Sequence, residues 1–171
     1  MSTAEVSHMR DQAFAQLVET HGDSLLRMCC LYLNDRHLAE DAVQDTFVKA
    51  YRSLARFRGD CSEKTWLMRI AINTCKNYRR SPWHRWVDRR VPLDMLPECV
   101  SSDSHDDGAL LAEIMRLNDS HKEVILLYYY QELTAAEIAA VLGIHEKAVF
   151  ARMARARRQL KSRLEGWFFD E

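Results

Sequence analysis

The sequence predicts an all-α protein made of two small helical domains joined by a linker, the C-terminal one containing a helix-turn-helix. Three observations carry this reading. Helix breakers are scarce, with five Gly and three Pro in 171 residues, and Pro82, Pro92 and Pro97 fall in one stretch. On either side of that stretch apolar side chains recur every three or four residues, the period of a helix with one buried face. Residues 134–164 then set a glycine turn between two helical patterns. The chain divides into 1–82, a linker at 83–107, and 108–171. With 47% hydrophobic residues it can bury two small cores but no large one.

In residues 11–33, Phe14, Leu17, Val18, Leu25, Met28, Cys29 and Tyr32 fall on one face of a first helix. Asn34 and Asp35 supply capping chemistry for a second. That helix turns Leu38, Ala42, Val43, Thr46, Phe47, Ala50, Tyr51 and Leu54 inward, and its other face carries Asp41, Gln44, Asp45 and Lys49. On the residues alone this polar face reads as a solvated surface. Residues 57–63, FRGDCSE, lack any period and read as a loop. A third helix over 65–80 follows, with Trp66, Leu67, Ile70, Ala71 and Thr74 packed inward. Arg69, Asn73, Lys76 and Arg80 line its opposite side, with Asn77 and Arg79 beside them, a stripe suited to phosphates and base edges.

Between Ser81 and Gly108, proline, serine and aspartate displace the helical period, although Trp83, Trp86 and Val87 interrupt the polar character. Patterning resumes at 109–117. Ser120 and Glu123 have capping-box spacing ahead of VILLYYYQEL, as do Thr134 and Glu137 ahead of the next helix. Tyr128, Tyr129 and Tyr130 should diverge by about 100° each on a helix and so read as core plus rim, not as one stacking surface.

The net charge of −1 conceals a sorted distribution. Lys147, Arg152, Arg155, Arg157, Arg158, Lys161 and Arg163 follow one another with no acid from 147 to 164, which calls for a polyanion. In the helix-turn-helix, Ile138, Leu142, Ile144, Val149 and Met153 form the expected core. Lys147, Phe150, Ala151, Ala154 and Arg155 then lie outward toward bases, while Arg152 and Arg158 meet phosphates. The five cysteines form no CxxC pair and the seven histidines no ligand spacing, so reduced thiols and no metal or cofactor are expected. No apolar run approaches the roughly 20 residues of a membrane span, and the N-terminus lacks a signal-peptide core, so no direct membrane insertion is expected.

AEDAVQDTFVKAYRSLARFRG, KTWLMRIAINTCKNYRR, KEVILLYYYQELTAAEIAAVLGI and RARRQLK, in that order, resemble the extracytoplasmic-function (ECF) sigma factors of the sigma-70 family, over about residues 11–81 and 109–164. The resemblance implies a cytoplasmic, non-enzymatic initiation factor whose partners are core RNA polymerase, promoter DNA and an anti-sigma protein. It assigns Asp41, Gln44, Asp45 and Lys49 to the polymerase clamp helices. It assigns the loop with Arg58, then Trp66, Arg69, Asn73, Lys76, Asn77 and Arg80, to the −10 element and its melting. The −35 element falls to Lys147, Phe150, Ala151, Arg152, Ala154, Arg155 and Arg158. Here the chain departs from the family, whose turn reads roughly Gly-Ile-Ser-Glu-Gly-Thr-Val-Lys-Ser-Arg. His145, Ala148, Phe150 and Ala151 replace polar residues, which weakens or alters hydrogen-bonded base readout. The alternative is a polymerase-independent helix-turn-helix regulator acting as a homodimer, which leaves the first domain without a task.

Overall fold

The computed structural model describes the backbone of residues 2–81 and 105–168, and the side chains of 2–81 and 108–165. The linker and its prolines, and the Trp167–Phe169 tail singled out by its apolar character, lie outside the described side chains. Seven α-helices and no strand occur among the described residues.

Helix α1 (Thr3–Leu33) begins eight residues earlier than the apolar period suggests, because Ser2 and Glu5 form a reciprocal capping box. It ends on Asn34, which takes the left-handed conformation at φ 55°. Asp35 caps α2 (Arg36–Ser53), its carboxylate accepting from Leu38 N at 3.0 Å. Ala39, Ala42, Thr46 and Ala50 are buried, and side chains this small let the neighbouring helices approach closely. Phe14 meets Phe47 and Tyr51 edge-on across the same interface, at centroid distances of 6.0 and 5.0 Å. Val18, expected inside, is exposed. A short 3₁₀ turn and a loop then lead to α3 (Glu63–Arg80), capped by Ser62. Trp66 is half-buried, stacked on Phe57 at 4.6 Å.

Between α1 and α3, Cys75 Sγ lies 3.5 Å from Cys29 Sγ. That contact and burial push the Cys75 thiol pKa far up, so the pair packs as small apolar groups. Cys30, the next residue on α1, is also fully buried.

The second module starts with α4 (His105–Met115) and α5 (Asp119–Ile125). The cap of α5 is Asn118, which accepts from His121 N at 2.9 Å, and not Ser120 as the spacing suggested. Glu123 is thereby released from a capping role and turns inward, 3% exposed. Leu126–Tyr130 continues α5 as a π-helical turn, which brings Tyr128 and Tyr129 into edge contact at 4.9 Å beneath Arg157. The two rings therefore do share a surface, contrary to the α-helical expectation.

Helix α6 (Ala135–Leu142) opens with the predicted Thr134–Glu137 capping box and closes on Gly143 at φ 66°. A side chain at position 143 would be strained there. Helix α7 (Glu146–Phe168) follows. Ile138, Val149, Met153, Ala156 and Leu160 are buried between α6, α7 and the preceding helices, with Leu142 and Ile144 at the edge.

The Thr134 backbone amide holds the Glu137 carboxyl below its ordinary range. A depressed carboxylate stabilises the fold above its unfolded pKa and ceases to do so as pH falls through the folded value, so the capping box is in force at neutral pH. Thr134→Ala should lower stability by about 1 kcal/mol at pH 7, read as a shift in urea midpoint, with a smaller effect in acid.

Candidate nucleic-acid interface

Three surfaces hold the residues singled out by sequence. On α2, Asp41, Gln44, Asp45 and Lys49 are all exposed on one side of the helix. Two of them are steadied from α3, since Tyr78 donates to Asp45 at 2.8 Å and Lys49 donates to Thr74 at 2.9 Å. Burial first, and Asp45 second, push the Tyr78 hydroxyl up to about 12, so it stays a donor at neutral pH. Val48 sits in the midst of this face, 48% exposed. The sequence signal was present, because Val48 is out of phase with Ala39, Ala42, Thr46 and Ala50.

On α7, Lys147, Phe150, Ala151, Ala154, Arg155 and Arg158 are exposed along the helix, and Phe150 is 59% exposed. Positions 147, 150, 151, 154 and 158 recur at intervals of three and four, so they form one stripe. Arg152 is half-buried and turned toward the first module. Arg157, unassigned by sequence, donates to the Tyr129 hydroxyl at 3.0 Å.

The third surface, on α3 and its leading loop, is divided. Arg58, Asn73, Asn77 and Arg80 are exposed. Arg69 and Lys76 instead contact the second module. Arg69 donates to the Ala140 carbonyl at 3.0 Å, and the Lys76 ammonium lies 3.3 Å from Glu123. Arg79, which sequence placed only beside the stripe, pairs with Asp119 and lies over the Tyr32 ring at 5.4 Å.

These contacts belong to a continuous seam between the modules, which do not stand apart on a tether as the linker suggested. Glu123 accepts from the Tyr32 hydroxyl at 2.7 Å, and burial with this carboxylate pushes that tyrosine's pKa far up. Gln131, 1% exposed, donates to the Ser24 carbonyl at 3.2 Å, and its own carbonyl accepts from Lys64. Thr65 donates to Glu137 at 3.3 Å. Residues Met28 to Tyr32 are all buried, so the end of α1 is enclosed on every side. None of this was legible from periodicity, which reports one buried face per helix and not a second partner.

A helix-turn-helix with an acid-free outer stripe, joined to a separate three-helix module bearing its own cationic helix, defines a two-module DNA-binding transcription protein. The comparisons agree with that class. Sigma-70 region 2 matches residues 17–85, and Sigma-70, region 4 matches residues 107–160. The RNA polymerase sigma factor YlaC of Bacillus subtilis (strain 168) is 37% identical over 144 residues, 78% of this chain and 83% of its own. The ECF RNA polymerase sigma factor SigW of the same organism is 30% identical over 166 residues, 89% of each chain. Among solved structures, CnrH in complex with the cytosolic domain of CnrY is similar at a TM-score of 0.69 and 31% identity, covering 91% of this chain and 90% of that one. The chain belongs to the ECF sigma factors of the sigma-70 family. Its function is that of its family: it binds core RNA polymerase and directs promoter-specific initiation of transcription.

No group of three or more His, Cys, Asp or Glu side chains able to hold a metal occurs among the described residues, and no described helix is long and apolar enough to cross a membrane.

Glu123→Ala should remove the acceptor shared by Tyr32 and Lys76 and lower stability by about 1–3 kcal/mol. Amide exchange in α3 and α5 should accelerate more than exchange in the α1–α2 pair; uniform acceleration would deny the seam its separate identity.

Proposed function

We propose that this sigma factor contacts core polymerase through Asp41, Gln44, Asp45, Val48 and Lys49, and reads promoter DNA through α3 and α7. The exposed stripe of α7 is the observation that carries the DNA-binding half. With Lys147, Arg155 and Arg158 exposed and no acid from 147 to 164, the stripe can approach a duplex without an electrostatic penalty. Phe150, Ala151 and Ala154 offer apolar contact to thymine methyl groups, and Arg152 and Arg158 take phosphates. On α3, Asn73 and Asn77 carry exposed amides that can bond the edges of separated bases, with Trp66 and Arg58 in reach of the same strand.

Arg69 and Lys76 belong to the same −10 surface in this reading, and both are engaged at the seam. The closed arrangement is therefore the form that precedes DNA binding, and polymerase must part the modules before α3 is free. The polar contacts of the seam suit this, because water can replace them. The family supports an anti-sigma protein as a further partner, since the related CnrH was solved with one bound domain of CnrY. The protein acts in the cytoplasm and performs no nucleotide chemistry of its own.

Run-off transcription with purified core polymerase tests the assignment. Asn73→Ala should impair open-complex formation more than polymerase binding; equal loss of both removes Asn73 from its role. Arg155→Ala should weaken duplex binding and reduce the salt slope by about 1. A homodimer that binds duplex but ignores core polymerase would favour the polymerase-independent regulator instead.

A further inference from the structure

Where α3, α5 and α7 meet at the seam they enclose a cavity of about 340 Å³, open to solvent on one side. Four cations line it: Lys76, Arg79 and Arg80 from the first module, and Arg152 from the second. Two of these are already neutralised, Lys76 by Glu123 at 3.3 Å and Arg79 by Asp119. Arg80 and Arg152 have no carboxylate partner among the described residues. The cavity thus carries two uncompensated positive charges contributed from opposite sides of one interface. Like charges held in a shared recess repel, and a surplus of this kind opposes closure unless an anion enters.

We propose that the seam cavity binds a small molecule bearing a diphosphate group, which bridges Arg80 and Arg152 and holds the two modules closed. Guanidinium groups present planar pairs of donors that match phosphoryl oxygens, and two of them fit a ligand with two phosphoryl groups better than a single anion. The volume lies at the lower end of the range for small-ligand sites, which admits a diphosphate with a modest organic substituent and not a strand of nucleic acid. Because the ligand touches both modules, its binding energy adds directly to the stability of the closed form. On the reading given above, Arg80 and Arg152 are also promoter phosphate contacts, so ligand and promoter would compete; the binding site itself does not depend on that reading.

The test uses the full chain at fixed ionic strength, titrated calorimetrically with inorganic diphosphate, with a nucleoside diphosphate, and with sulfate. Inorganic diphosphate should bind with a stoichiometry of one and raise the melting temperature, while sulfate at equal concentration should do neither. A nucleoside diphosphate that binds more tightly would identify an organic source of the group, and one that binds less tightly would identify the free anion. Arg80→Ala and Arg152→Gln should each weaken binding about tenfold, the loss of one charge-assisted contact. Arg155→Ala, exposed on α7 outside the cavity, should leave it unchanged. Amide exchange should slow in both α3 and α5 on binding, and circular dichroism verifies that each variant is folded. Equal weakening by Arg155→Ala, or binding that survives loss of both cavity arginines, overturns the proposal, as does absence of binding. Run-off transcription without added diphosphate reports on the sigma-factor assignment separately, so failure of one leaves the other intact.

Discussion

A carboxylate buried at 3% exposure must find partners, and among the described residues Glu123 finds them on the other module. An isolated ionised carboxyl in a protein interior costs several kcal/mol, more than any single contact around it returns. Tyr32 at the end of α1 and Lys76 on α3 meet that demand together, one as a neutral donor and one as a cation. The remainder of the seam is arranged about the same line. Gln131, Lys64 and Ser24 satisfy one another at one end, and Arg79 with Asp119 at the other.

A seam built this way is strong in one state without being committed to it. Each polar group in it can exchange its partner for water when the modules part, while the apolar side chains behind them form one cluster that runs through both modules. Leu25, Met28, Leu67, Met68 and Ile72 from the first module share one buried hydrophobic cluster with Ile138, Val149 and Ala156 from the helix-turn-helix. Arg69, Lys76 and Arg79, which the sequence set on or beside the polar stripe of α3, are engaged across the seam.

The departure from the family in the turn after Gly143 gains meaning from exposure. Phe150 stands 59% exposed on a helix whose inner face is already filled by Val149, Met153 and Ala156. It has no packing role to explain it. Together with Ala151 and Ala154 it gives α7 an exposed apolar central strip flanked by cations, a surface whose chemistry suits methyl contact and phosphate attraction more than bidentate hydrogen bonding.

Much of the architecture was legible in the residues because it rests on local chemistry. Capping by Asp35 and by Thr134 with Glu137, the turn at Gly143, and the inward positions Leu67, Ala71, Thr74, Val149 and Met153 follow from neighbours within four residues, whereas the burial of Met68, Ile72 and Cys75 did not. The exposed faces of α2 and α7 were legible for the same reason. Where local rules offered two answers, tertiary packing chose. Asn118 took the cap that Ser120 could have held, which turned Glu123 inward, and a π-helical turn brought Tyr128 and Tyr129 together. The sequence alone determined two helical bodies, their exposed polar stripes and their family. Only the tertiary structure decided that Arg69, Lys76 and Arg79 spend their charge across a seam, because a side chain's partner 40 or more residues away leaves no periodic trace in the chain that carries it.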